Sequence, residues 1–220
     1  MPAFTAPPEL ITSLTDIING IFSFFIIFWL YKKNAAKEWK YLFITLTVSN
    51  LFGGVIHLFD FSALFDKIAW IILIFIMYVT AALFAVCSVK LTGAMKQKTA
   101  FEIFGIATVL GYAMIIIDSI SKDFKVDIKV YVVFAAICLI YSLVILIISY
   151  LREKSACKAL FALSMIVQVP GGIVQAQRTL KFHFIWDLDY NTVYHLILAA
   201  SVILIFIGLI SLEKEKKSLR

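Results

Sequence analysis

Asp187-Leu-Asp-Tyr-Asn-Thr-Val-Tyr-His195 leads without a break into an almost wholly apolar run from Leu196 to Leu212. The run has the length of a helix that spans a bilayer core, about 20 residues. Its apolar residues are continuous rather than alternating, which argues against a β-barrel strand. Six more segments of the same kind precede it. The expected helices cover about 10–31, 41–61, 68–89, 101–120, 130–151, 159–177 and 190–212. The fold class is therefore all-α, a polytopic membrane protein built as a single seven-helix transmembrane bundle over residues 1–220.

Composition points the same way. The chain is 62% hydrophobic and only 15% charged, against the quarter charged that soluble domains carry. The formal charge of +6 is spread over short loops between apolar runs, a pattern of membrane topology rather than of nucleic-acid binding. Lys and Arg divide 14 to 6 between the loops after segments one, three, five and seven and the opposite side. That bias puts the N-terminus outside and the C-terminus in the cytoplasm of a cell-membrane protein. The first nine residues lack a basic n-region, so the first segment is expected to be a retained helix. Cys87, Cys138 and Cys157 show no metal-ligand spacing and read as small buried residues.

With this orientation the ionisable residues inside the segments fall at one end. Asp16 and Asn19 lie in the outer half of the first segment, His57 and Asp60 at the outer end of the second, and Asp118 at that of the fourth. Gln175 and Gln177 close the sixth, and Asp187, Asp189, Asn191 and His195 open the seventh. The cytoplasmic halves hold little beyond Ser, Thr and Asn50. An intramembrane Asp or His requires partners and marks a functional site by default. His57 and Asp60 share a helix face, as do Asn191 and His195. Gly53-Gly54 allows another helix or a ligand to approach the backbone. Plainer roles stand beside these: Asp189 as an N-cap, Asp60 and Asp118 as interfacial residues, His57 and His195 as packed histidines, and Pro170-Gly171-Gly172 as a kink or packing notch.

Thr15-Asp16, Gly53-Gly54-Val-Ile-His57 and Asn191-Thr-Val-Tyr-His195 resemble an uncharacterised family of small bacterial seven-helix membrane proteins. That family is similar in layout to the CREST superfamily, which includes alkaline ceramidases and progestin and adiponectin receptors. The resemblance implies zinc, with His57 and His195 as metal ligands, and Asp66 at the place of a further Asp. Gly53 stands where the hydrolases have Ser, and Asn191 where they have a first histidine of the last helix, so Asp16 or Asp60 would supply a third ligand.

Three functions remain open. The first is a receptor, sensor or carrier that binds a lipid-like or small ligand at Asp16, His57, Asp60, Asn191 and His195. The second is a membrane-embedded, metal-dependent lipid amide or ester hydrolase, with His57, His195 and Asp16 as catalytic candidates. The third is a structural or accessory subunit. Membrane lipid is the expected partner. No Gly-rich phosphate loop and no His-Glu-x-x-His pattern occurs in the chain.

Overall fold

A computed structural model describes residues 3–4, 9–121, 129–177, 181–183 and 187–218. The leader with Pro7 and Pro8, the core of the alternating Lys/Asp loop, Arg178 and Trp186 lie outside the described residues. In chain order the elements are β1 (Ala3–Phe4), α1 (Glu9–Lys32), α2 (Lys37–Leu58), β2 (Phe59–Asp60), α3 (Ala63–Thr92), α4 (Gln97–Ser121), α5 (Lys129–Glu153), α6 (Ala156–Gln177), β3 (Lys181–His183), β4 (Asp187–Asp189) and α7 (Tyr190–Ser218). All seven helices are long and apolar enough to cross a membrane. β1 pairs antiparallel with β2, and β3 with β4.

Most helices run a few residues longer than expected, and two differences bear on candidate site residues. α2 ends at Leu58, so Asp60 falls in β2, opposite Ala3, rather than in the last turn of a helix. Asp66, expected in a turn, occupies the first turn of α3, where a carboxylate is favoured by the exposed N–H groups of the helix end. At its other end α3 stops on Gly93, whose φ of +66° is the left-handed conformation that glycine adopts without strain.

Six helices close into a ring. α1 packs on α2, α2 on α3, α3 on α5, α5 on α6, α6 on α7, and α7 returns to α1. α4 lies outside the ring against α3 and α5. The outer surface is apolar: Phe25, Phe28, Ile106, Val109, Ile117 and Ile137 are each at least 60% exposed. A water-soluble fold does not leave so many large apolar side chains uncovered.

α1 reverses the usual amphipathic pattern. Its polar and small residues Thr12, Ser13, Asp16, Asn19, Gly20 and Ser23 recur at helical spacing and are all buried, while Ile18, Phe24, Phe25 and Phe28 face out. The polar face meets α2 at the two glycines. A Cβ on Gly54 would stand 2.8 Å from Ile17 Cγ1 and 3.2 Å from the Ser13 carbonyl oxygen, and Ser13 Oγ donates to the Gly54 carbonyl at 2.6 Å. The approach anticipated at Gly53-Gly54 is thus made by a helix, with backbone against backbone. Gly54→Ala must push α1 away, because a backbone oxygen cannot yield as a side-chain tip can. Its expected effect is a loss of about 1–3 kcal/mol, the range for overpacking a tight contact, measured by reversible unfolding in mixed micelles.

Candidate functional site

The polar face of α1 also reaches α7. Asp189 caps α7: its Oδ1 accepts from the backbone N–H of Thr192 at 2.7 Å and from the Thr12 hydroxyl at 3.2 Å. The Thr12 and Thr192 hydroxyls are 2.7 Å apart, and Asn19 Nδ2 donates to the His195 carbonyl at 3.0 Å. Each bond satisfies a group that would otherwise be unpaired in an apolar interior. Together they hold α7 in a fixed register against α1 and set His195 beside Asp16.

Asp16 is 1% exposed, and its Oδ1 lies 2.7 Å from His195 Nδ1. The contact is close, yet neither atom has a hydrogen bond of acceptable geometry. Asp16 Oδ2 lies against α2, where a Cβ on Gly53 would be only 3.1 Å from it. Glycine at 53 therefore leaves room for the carboxylate between the two helices. His57 stands one turn further along α2. Its Nε2 is 3.1 Å from Asn191 Nδ2, its ring meets the Trp70 indole edge to face at 5.4 Å, and its centroid is 6.4 Å from that of His195. Asp16, His57 and His195 each present a ligand atom within 4.8 Å of the others.

These residues form the polar end of a cavity of about 170 Å³, which is the lumen of the six-helix ring. Asp16, His57, Asn191, His195 and Gln175 line it, and among the described residues none of α4 does. Away from the polar end its wall is mostly apolar, with Leu46, Phe84, Met165 and Val202 among the side chains.

The structure thus brings together Asp16, His57, Asn191 and His195 from among the residues singled out in the sequence. Asp60 is exposed in β2 and does not line the cavity. Asn191 hydrogen-bonds His57 and so helps to orient that ring. Sequence reasoning had overlooked the parts played by Thr12, Ser13 and Thr192, although the period of Thr12, Ser13, Asp16, Asn19, Gly20 and Ser23 was a signal of a buried polar face.

Charged groups are also drawn inside at the opposite end, against the expectation of nearly bare helix ends there. Glu38, in the first turn of α2, is 2% exposed and pairs with Lys90 of α3. Lys158 of α6 is buried, pairs with Glu153 and donates to Ser149 Oγ at 2.7 Å. Glu215 of α7 accepts from Ser155 Oγ at 2.8 Å and from the Cys157 backbone N–H at 3.1 Å, completing the start of α6.

Seven helices long and apolar enough to cross a membrane, six of them closed around a buried carboxylate and two imidazoles, define a helical protein with an internal polar site. The chain belongs to a family of unknown function, DUF6962, which it matches over residues 11–214. No curated protein and no solved structure matches it.

Proposed function

We propose that this is a multi-pass protein of the cell membrane that binds a lipid-like ligand in the lumen of its helix ring, as a receptor, sensor or carrier. The observation that carries the reading is the convergence of Asp16, His57 and His195 within 4.8 Å at one end of a mostly apolar cavity. A polar head group would sit at that end, with Asn191 beside it, and the apolar remainder of the ligand would lie along the ring. The Lys/Arg bias supports an N-terminus outside and a C-terminus in the cytoplasm, so the polar end would face the outer leaflet. Membrane lipid is the partner that such a lumen would take; nucleic acid is not.

A second reading, a metal-dependent hydrolase of lipid amides or esters, is favoured by the donor set itself. Two imidazoles and a carboxylate are a zinc-binding combination that leaves a position open for catalysis. Asp16 Oδ1 and His195 Nδ1, buried without hydrogen bonds, suit atoms that share an ion. His57, His195 and Asp16 would hold the metal, and Asn191 would orient the His57 ring as an outer partner. Bound zinc supplies an acidified water and a polarised carbonyl. On this reading the resemblance to the ceramidase-like proteins extends to chemistry, with Asp16 in place of the missing histidine.

Metal analysis and native mass spectrometry of the purified protein separate the readings. Stoichiometric zinc, absent from His57→Ala and retained by Asp60→Ala, supports the metal site, and release of fatty acid from an added lipid amide or ester then supports the hydrolase. A retained lipid without metal supports the binder. Neither lipid nor metal in the wild type, with a folded and equally stable His57→Ala variant, overturns both.

A further inference from the structure

The dimensions of the lumen are more specific than its polarity. On α2 the lining runs from Leu42 to His57, about 22 Å of helix at about 1.5 Å per residue. On α3 it runs from Trp70 to Phe84, and on α7 from Asn191 to Ile205, each about 21 Å. The lining is shorter on α5, from Tyr131 to Leu139, and on α6, from Met165 to Gln175, about 12 and 15 Å. The three longest walls reach deeper than the roughly 15 Å that one leaflet of a bilayer core provides. Averaged over that length, about 170 Å³ open to water-molecule centres gives a mean width of about 6 Å. A methylene chain, about 4 Å wide by carbon contact distances, fits singly, and two chains side by side, about 8 Å, exceed that mean.

Polar lining below the mouth is turned into the protein. Asn50 Nδ2 donates to the Leu46 carbonyl, Thr80 to the Ile76 carbonyl, and Gln168 Nε2 to Ser201 Oγ. The mouth is different: Asp16 Oδ1 and His195 Nδ1 touch at 2.7 Å without a hydrogen bond of acceptable geometry, and Gln175 Oε1 is buried with no hydrogen-bond partner. Unmet polar groups are thus gathered at one end, and along the rest of the tube the wall carries its polarity already satisfied.

We infer that the lumen takes a single unbranched hydrocarbon chain of about 16 to 18 carbons, at about 1.25 Å per methylene, with its polar head at Asp16, His195 and Gln175. The ligand class is a long-chain monoacyl amphiphile. The inference rests on the lumen being a ligand site, and it holds whether or not a metal is present.

The test is a chain-length series. Saturated 1-alkanols stepped from decanol to docosanol are added at fixed mole fraction to the protein in nanodiscs, and thermal stability is read. The wild type is expected to be stabilised most by hexadecanol and octadecanol. Ala81→Phe blocks the tube about 16 Å below Trp70 and moves the optimum about four carbons shorter. Phe84→Ala opens the far end and moves it longer. Ala113→Phe, which adds the same bulk on an exposed face of α4, leaves it in place. No optimum in the wild type overturns the inference, as does an optimum that folded Ala81→Phe and Phe84→Ala both leave unmoved. Equal stabilisation by cholesterol or a two-chain phospholipid does so too. His57→Ala separates the two levels. A length optimum that survives in it while zinc is lost upholds the chain site independently of metal. Zinc retained by the wild type with no length optimum upholds the metal site and sinks this inference.

Discussion

On the metal-site reading, Asp16→Asn is expected to empty the site of zinc while the bundle stays folded, and Asp16→Ala to do the same with a further loss of about 2 kcal/mol of stability. The carboxylate faces three ways at once. Its Oδ1 is 2.7 Å from His195 Nδ1, its Oδ2 lies in the gap at Gly53, and its backbone belongs to the helix face that Ser13 and Asn19 bind to α2 and α7. Asparagine keeps that shape and can still meet the His195 ring, but it cannot offer an anionic ligand. Mutating an outer-sphere partner typically lowers metal affinity 10–100-fold, so removing a ligand should lower it by more than about 100-fold. Alanine also leaves His195 Nδ1 facing a void. The penalty is near that of one lost buried polar contact. Metal content by mass spectrometry and unfolding in mixed micelles read the two effects separately. Full zinc occupancy in Asp16→Asn would remove Asp16 from the site.

At the other end, Lys90→Ala is expected to destabilise the protein by about 3 kcal/mol and Glu38→Gln by only about 1. The asymmetry follows from burial. Glu38 is 2% exposed, so losing Lys90 strands a carboxylate inside the bundle; its place in the first turn of α2 offsets part of the penalty. Lys90 is 35% exposed, and after loss of Glu38 its flexible stem can carry the ammonium to water. Glu38→Gln combined with Lys90→Met should recover most of the loss, since two neutral groups leave no orphaned charge. Zinc and ligand binding should be unchanged in all three, because neither residue lines the lumen. Equal effects of the two single substitutions would show that the pair is not buried as described.

The seven helices were legible because little besides a membrane span calls for a run of about 20 apolar residues. The site was legible in outline for a related reason: Asp16, His57 and His195 are so unfavourable in apolar helices that their shared depth was informative by itself. The misplacement of Asp60 has a non-local cause. Spacing made it a helical neighbour of His57, but β2 forms by pairing with Ala3–Phe4, a contact between distant parts of the chain that no local pattern announces. Glu38 and Lys90 went unseen for the opposite reason. Each sits in a loop-flanking position where charges are normally solvated, and only the packing of α2 on α3 brings them together. The ring, with α4 left outside it, is likewise a property of packing: by length and composition α4 qualifies as a span like the other six.

The glycine contacts have a mechanical consequence. Gly20 and Gly54 lock α1 to α2, each leaving less than 3 Å for an added Cβ, and Gly208 does the same between α7 and Phe161 of α6, with Gly171 against Ile197 only slightly looser. Helices joined so closely resist sliding past one another. Between the two pairs the contact is made by polar side chains, among them Asp16 and His195, so an occupant lodged between those two residues would bear on both pairs at once.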